Sequence, residues 1–381
     1  MTTETSESPA PSLNHGALTP SAGYGYIPAL DGLRALAVGI VIIAHMGLSH
    51  IVPGGFGVTA FFFISGFLIT RLLLAEAKLK GRIDLKAFYL RRFVRLYPAL
   101  LFMLFGSTLI FRLLDAGGPS WLEFFSGVFY TSNLFQVGVD AGVVDANMAW
   151  RPLWSLAVEE HFYLIFPLTL VLAGAFSRRL LLILLAVLIL VPIWRALVPI
   201  VLPNVPAETY TYMMTDARID SIVWGCLLSC LLDREYWQVF LSKFVGWVPL
   251  IGAALAIGLT FVLRDETFRM TIRYSIQGAA LFVLMLNLYY FQKIRFALGL
   301  LEWKPLAWLG VLSYALYLWH FPVADLTHKF VEPIWLQIPI ILGATLLLSC
   351  ISFYLVETPF LALRKRLGSH GKPEKRATSL A

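Results

Sequence analysis

Long apolar runs constrain this chain more than any other feature. Leu180–Leu202 and Ile334–Val356 are each long enough to cross a bilayer as one helix. Apolar residues make up 59% of the 381-residue chain and charged residues only 14%, against about 25% in an ordinary soluble domain. No stretch has the alternating, roughly ten-residue strands of a membrane barrel. The chain therefore reads as an all-α integral membrane protein, a polytopic bundle.

Ten spans are expected, at 29–48, 56–75, 97–114, 154–174, 180–201, 217–233, 245–263, 274–292, 306–324 and 335–356. An even number puts both termini on one side. With that side cytoplasmic, 21 of the 30 Lys and Arg lie inside or, in the case of Arg71, near the inner end of a span, as the positive-inside rule requires. The expected topology is N-in and C-in. The net charge of +7 follows from those loops. It does not point to nucleic acid, because the basic residues are spread out and no nucleic-acid-binding motif is present. Residues 1–26 are polar and hold no Lys or Arg, so they read as a disordered tail ahead of a membrane domain at 27–360. Residues 361–381 read as a basic cytoplasmic tail. The basic, amphipathic segment 78–97 is expected at the cytoplasmic interface. Cys226 and Cys230, four apart, read as small buried hydrophobes, and no metal site is expected.

Ionisable residues within spans are costly in lipid and normally face a protein interior or a wet cavity. Arg34 and His45 lie eleven residues apart in the first span. In an α-helix that is three turns plus about 20°, so both side chains share a face, roughly 16 Å apart along the axis. His45 is a candidate general base. Arg34, with Asp31 on the same face, reads as an interfacial ion pair or as a clamp for an anionic group. Arg91, Arg92 and Arg95 are neighbours on a helix surface and could bind phosphates, though positive-inside charge also accounts for them. Glu159 and Glu160 open the fourth span beside His161; a Glu here could orient a histidine or act as an acid or base. His320 sits at a depth similar to that of His45, and Glu357 ends the last span. For both, a structural role and a catalytic one stand level.

Six segments in order carry a resemblance: Ala29-Leu-Asp-Gly-Leu-Arg34 with His45; Gly57 to Thr70, which includes Ser65; Arg91-Arg92-x-x-Arg95 before Leu-Tyr-Pro98; Trp154-Ser-Leu-Ala-Val-Glu159-Glu160; Ser313 to His320; and Val356-Glu357-Thr-Pro359. Together they resemble the acyltransferase-3 family of bacterial integral-membrane O-acyltransferases. The resemblance implies transfer of an acyl group, usually acetyl from acetyl-CoA, to a hydroxyl of a glycan or lipid-linked saccharide in the cytoplasmic (inner) membrane. It also implies acyl-CoA as donor with no permanently bound cofactor. Arg34, His45 and Arg-Arg-x-x-Arg are the family's signature positions, and Ser65, Asp31, His320 and Glu357 are further candidates. Thr59 stands where relatives often have an acidic residue, and His161 where many have Gln. Some relatives carry a C-terminal esterase-like domain. This sequence reads as the stand-alone form, completing transfer alone or passing it to another protein. The expected path runs from CoA phosphates on Arg91, Arg92, Arg95 and Arg34 to the thioester at His45, with Glu159 or Glu160 acting from the outer side. The alternatives are a longer acyl donor, a small natural product as acceptor, or a membrane transporter. Oligomeric state is not legible.

Overall fold

The computed structural model describes residues 28–146 and 148–361. The expected polar tail and nearly all of the basic tail lie outside them. The described residues form seventeen α-helices and no strand. In order these are α1 (Pro28–Ile43), α2 (Gly54–Lys80), α3 (Leu85–Leu113), α4 (Trp121–Val128), α5 (Ser132–Asp140), α6 (Leu153–Ala173), α7 (Arg178–Val201), α8 (Ala207–Met213) and α9 (Thr215–Leu232). They continue as α10 (Gln238–Ser242), α11 (Trp247–Val262), α12 (Glu266–Met270), α13 (Arg273–Tyr290), α14 (Arg295–Leu301), α15 (Lys304–Val311), α16 (Ser313–Phe330) and α17 (Ile334–Ile351). Two short π-helical segments, Ala44–Leu48 and Ser352–Glu357, follow α1 and α17.

Six helices are long and apolar enough to cross a membrane alone, and up to eight crossings result if each of two bent pairs counts as one. The chain is a multi-pass membrane protein. The remaining two of the ten expected spans are α9 and α11. The first carries Asp216, Arg218 and Asp220, and the second has only 16 residues. The charges of α9 are tolerated because it lies inside the bundle against α2, α7 and α13. There the fully buried Arg195 meets Asp220 at 2.9 Å, while Ser275 and the Thr271 and Ala217 carbonyls accept its remaining N–H groups. The expected spans 274–292 and 306–324 are parts of the bent pairs. α13 turns by 88° into the helical stretch 292–301, and α15 meets α16 at 71°.

Segment 78–97 joins two long helices. α2 runs on to Lys80 and is closed by Gly81 at φ 67°. Asp84 then caps α3, accepting from Ala87 N at 2.9 Å, and nothing stops the helix until Leu113, with Pro98 accommodated inside it. Arg91, Arg92 and Arg95 therefore belong to the same rigid helix as the third span. The aromatic-rich loop after α3 folds as the short pair α4 and α5.

α2 and α9 form the most extensive helix contact, and glycines explain its closeness. A Cβ at Gly66 would strike the Ile222 carbonyl, and one at Gly225 the Phe63 carbonyl. The two backbones touch, as small residues allow when no water drives helices together. Outward-facing apolar side chains such as Leu182, Ile189, Leu190 and Ile193 of α7 present the surface that lipid covers.

Candidate functional site

Two cavities lie end to end in the bundle. The first, of about 490 Å³, is bounded by α1, α2, α3, α6 and α16 and contains Arg34. The second, of about 740 Å³, contains His45 and is bounded by α2, α8, α13 and the loops beside them. Val58 and Tyr317 line both, so the cavities meet at these two side chains. The Tyr317 hydroxyl is tied at that junction, 2.6 Å from Ser155 Oγ and 3.0 Å from the Pro152 carbonyl that it donates to.

The Arg34 cavity gathers most of the candidate residues. Asp31 approaches Arg34 at 3.6 Å. Arg92 reaches between two carboxylates, Glu159 at 3.6 Å and Glu160 at 3.9 Å, and its guanidinium lies 3.5 Å from the centre of the Tyr163 ring. Ser65 and Tyr163 both donate to Glu159 Oε1. Arg95 and Glu357 also line this cavity; the charged neighbours of Glu357 are Arg95 and Arg34.

Two expectations change here. Glu159 and Glu160 face the Arg34 cavity rather than His45, because the first turns of α6 point them at α3; they orient Arg92, not a histidine. Arg91 does not enter the cavity. One residue along a helix is a rotation of about 100°, and Arg91 is thereby directed to Glu76 at 3.3 Å. Glu76 is a buried carboxylate that Lys80 also meets, at 3.1 Å. Arg71, which the sequence did not single out, lines the cavity in its place.

His45 lies beyond the end of α1. The chain there is π-helical, and Gly47 at φ 89° ends it. Arg34 and His45 open into different cavities, one at each end of this helical stretch. His45 Nδ1 is 3.0 Å from the Val41 carbonyl and 3.3 Å from His320 Nε2, while His320 Nδ1 is 2.6 Å from the Tyr317 carbonyl. Carbonyls accept, so with one proton per ring each Nδ1 carries it. The one Nδ1–H of His45 is then shared between the Val41 carbonyl and, more distantly, His320 Nε2, and His45 Nε2 keeps the free lone pair. His320 is fully buried and touches the reaction space only through His45. Phe321 packs edge-on against the His45 ring at 5.3 Å. His161 lines neither cavity; its Nδ1 lies 2.7 Å from Thr215 Oγ1. Cys226 and Cys230 are free, buried thiols.

Comparison with known proteins decides the family. The family model described as "Acyltransferase domain" matches residues 27–354. The chain belongs to the acyltransferase-3 family. It is 32% identical to the O-acetyltransferase OatA of Staphylococcus aureus over 88% of its own length and 57% of that protein's. It is also 32% identical to the peptidoglycan O-acetyltransferase OatA of Listeria monocytogenes, covering 88% of this chain and 56% of that one. A putative O-acetyltransferase of S. aureus is 31% identical over similar shares. The chain thus spans a little over half the length of the curated relatives it matches. No solved structure matches it.

Proposed function

We propose that this acyltransferase moves an acetyl group from cytosolic acetyl-CoA, entering through the Arg34 cavity, to a hydroxyl of a cell-surface or exported glycan held in the His45 cavity. The observation that carries the reading is the meeting of the two cavities at Val58 and Tyr317, with a histidine whose Nε2 is unengaged on the far side. The relatives named for O-acetyl transfer, one of them for peptidoglycan, support an acetyl donor and a glycan acceptor.

Arg92 and Arg95, with Arg34 and Arg71, would receive the donor's phosphates. Glu159, Glu160 and Tyr163 hold Arg92 in place so that little side-chain order is lost on binding. His45 Nε2 takes the proton of the acceptor hydroxyl as its oxygen attacks the thioester carbonyl. The new C–O bond forms, the C–S bond breaks, and the proton passes on to the departing CoA thiolate. His320 and the Val41 carbonyl fix the ring so that Nε2, not Nδ1, meets the hydroxyl.

Ten crossings with both ends cytoplasmic are consistent with this direction. Leu30 and Leu361, near the two ends of the described chain, line the same cavity, and Lys78, Lys80, Arg82 and Lys86 gather at that end of the bundle. The protein would then sit in the cytoplasmic membrane. The test is transfer of label from acetyl-CoA to oligosaccharide by the purified chain in nanodiscs. His45→Ala should lower turnover about a hundredfold to ten-thousandfold, the usual worth of a general base; full activity in a well-folded His45→Ala protein would sink the mechanism.

A further inference from the structure

The His45 cavity holds charge that acyl transfer does not use. Arg151, Arg264, Arg269 and Arg273 line it, against one carboxylate, Glu208. The Arg34 cavity is balanced by comparison, with four arginines and four carboxylates. Two of the arginines in the His45 cavity are matched: Arg269 to Glu208 at 2.7 Å, and Arg151 to Asp140 at 3.7 Å. Among the described residues, Arg273 donates only to the neutral Tyr274 hydroxyl, at 2.8 Å, and its buried Nε has no hydrogen-bond partner. Arg264 is exposed at the rim.

A further guanidinium lies behind the wall formed by Trp154, Tyr212 and Tyr274. Arg218 is fully buried, and the groups that accept from it are the neutral Tyr212 carbonyl at 3.2 Å and Thr59 Oγ1 at 3.0 Å. It lies 3.8 Å from the centre of the Tyr274 ring, and its Nε has no hydrogen-bond partner. Positive-inside charge does not account for this group, since on the proposed topology it is at the other end. A concave space lined by more guanidiniums than carboxylates concentrates anions.

We propose that the His45 cavity is the acceptor site for a saccharide that carries an anionic group, carboxylate or phosphate, and that Arg264 and Arg273 anchor that group while His45 addresses a hydroxyl of the same molecule. Guanidinium forks suit both anions, because each offers two parallel donors. Arg218 adds a fixed positive potential from behind the wall. The inference rests on the acyl-transfer reading and adds to it the charge of the acceptor.

The full chain in nanodiscs of zwitterionic lipid allows two measurements. The first is binding of a fluorescent oligouronate, compared with a neutral oligohexose of the same length, without donor. The expected result is binding of the acidic chain at least tenfold tighter, weakened by salt, weakened at least fivefold by Arg273→Gln or Arg264→Gln, and largely restored by Arg273→Lys. Equal binding of the two chains, or a preference that neither substitution alters, overturns the inference. The second is acetyl transfer to the same two acceptors and to a sugar phosphate, where the arginine substitutions should act through the acceptor KM. Acidic binding without transfer to any acceptor leaves the anion site standing and refutes acyl transfer. Transfer without acidic preference does the reverse. A raised KM for acetyl-CoA in Arg273→Gln, with the acceptor KM unmoved, assigns the charge to the donor and overturns the inference. So does binding that requires anionic lipid in the nanodisc, which would place a lipid headgroup there.

Discussion

Neighbouring side chains of identical type do different work in this protein. Arg91 and Arg92 are indistinguishable by composition, yet one neutralises a buried carboxylate and the other stands in a cavity. Arg92→Ala should raise the KM for acetyl-CoA with little loss of folded protein. Arg91→Ala should instead destabilise the fold by about 1–3 kcal/mol, because the buried Glu76 would lose a cationic partner; thermal unfolding of the detergent-solubilised chain separates the two outcomes. His320 acts through His45 as a positioning residue. Its hydrogen bond is worth about 1 kcal/mol, so His320→Ala should lower kcat roughly fivefold to tenfold at an unchanged donor KM. His320→Asn, which retains an acceptor, should recover part of that loss. Outside the spans, Glu123 of α4 is buried and accepts the Trp150 N–H at 2.8 Å. Burial raises its carboxyl from 4.5 to about 7, against the opposing pull of the Trp150 and Ala149 amides. Between those values the folded state holds a proton that the unfolded state has released, so stability falls as pH rises from 4.5 to about 7. Glu123→Gln should remove a decline of at most about 3 kcal/mol from unfolding curves measured across that window.

At the scale of elements, helix breaks position the chemistry. The π-helical turn and Gly47 stop α1 beside His320, and the bend between α15 and α16 brings Tyr317 to the cavity junction and His320 against His45. Contact between α2 and α9 through Gly66 and Gly225 fixes the common wall of both cavities. Gly225→Leu would drive a side chain into the Phe63 carbonyl. It should cost at least about 3 kcal/mol and abolish the monodisperse peak on size exclusion, since two touching backbones cannot relax as side chains do. Breaks of this kind were only partly legible. A multi-pass helical pattern was readable because lipid demands long apolar runs. The bends in 274–301 and 304–330 were not, because apolar composition continues through them.

Across the whole molecule, two cavities that meet at Val58 and Tyr317 divide the interior of the bundle into two compartments. The reading of that division as cytoplasmic and external makes a direct prediction. In intact cells a membrane-impermeant maleimide should label Glu266→Cys, beside the His45 cavity, and should label Arg82→Cys only after lysis. The native thiols leave a low background, since two are buried and the third is half-buried. Labelling in the opposite order would reverse the proposed orientation.

The sequence by itself determined that the chain is a helical membrane protein, which family motifs it carries, and that Arg34, Arg92, His45, Glu159 and His320 belong to polar sites. It did so because an ionisable group in a hydrocarbon-facing helix is too costly to be accidental. Only the tertiary structure decided that Arg34 and His45 serve separate cavities, that Glu159 and Glu160 hold Arg92, and that Arg91 is structural. Helical periodicity gives the angle between residues on one helix and nothing about the helix opposite. The arginines of the His45 cavity were invisible for the same reason: they come from connections at 151 and 264–273, which folding alone brings together.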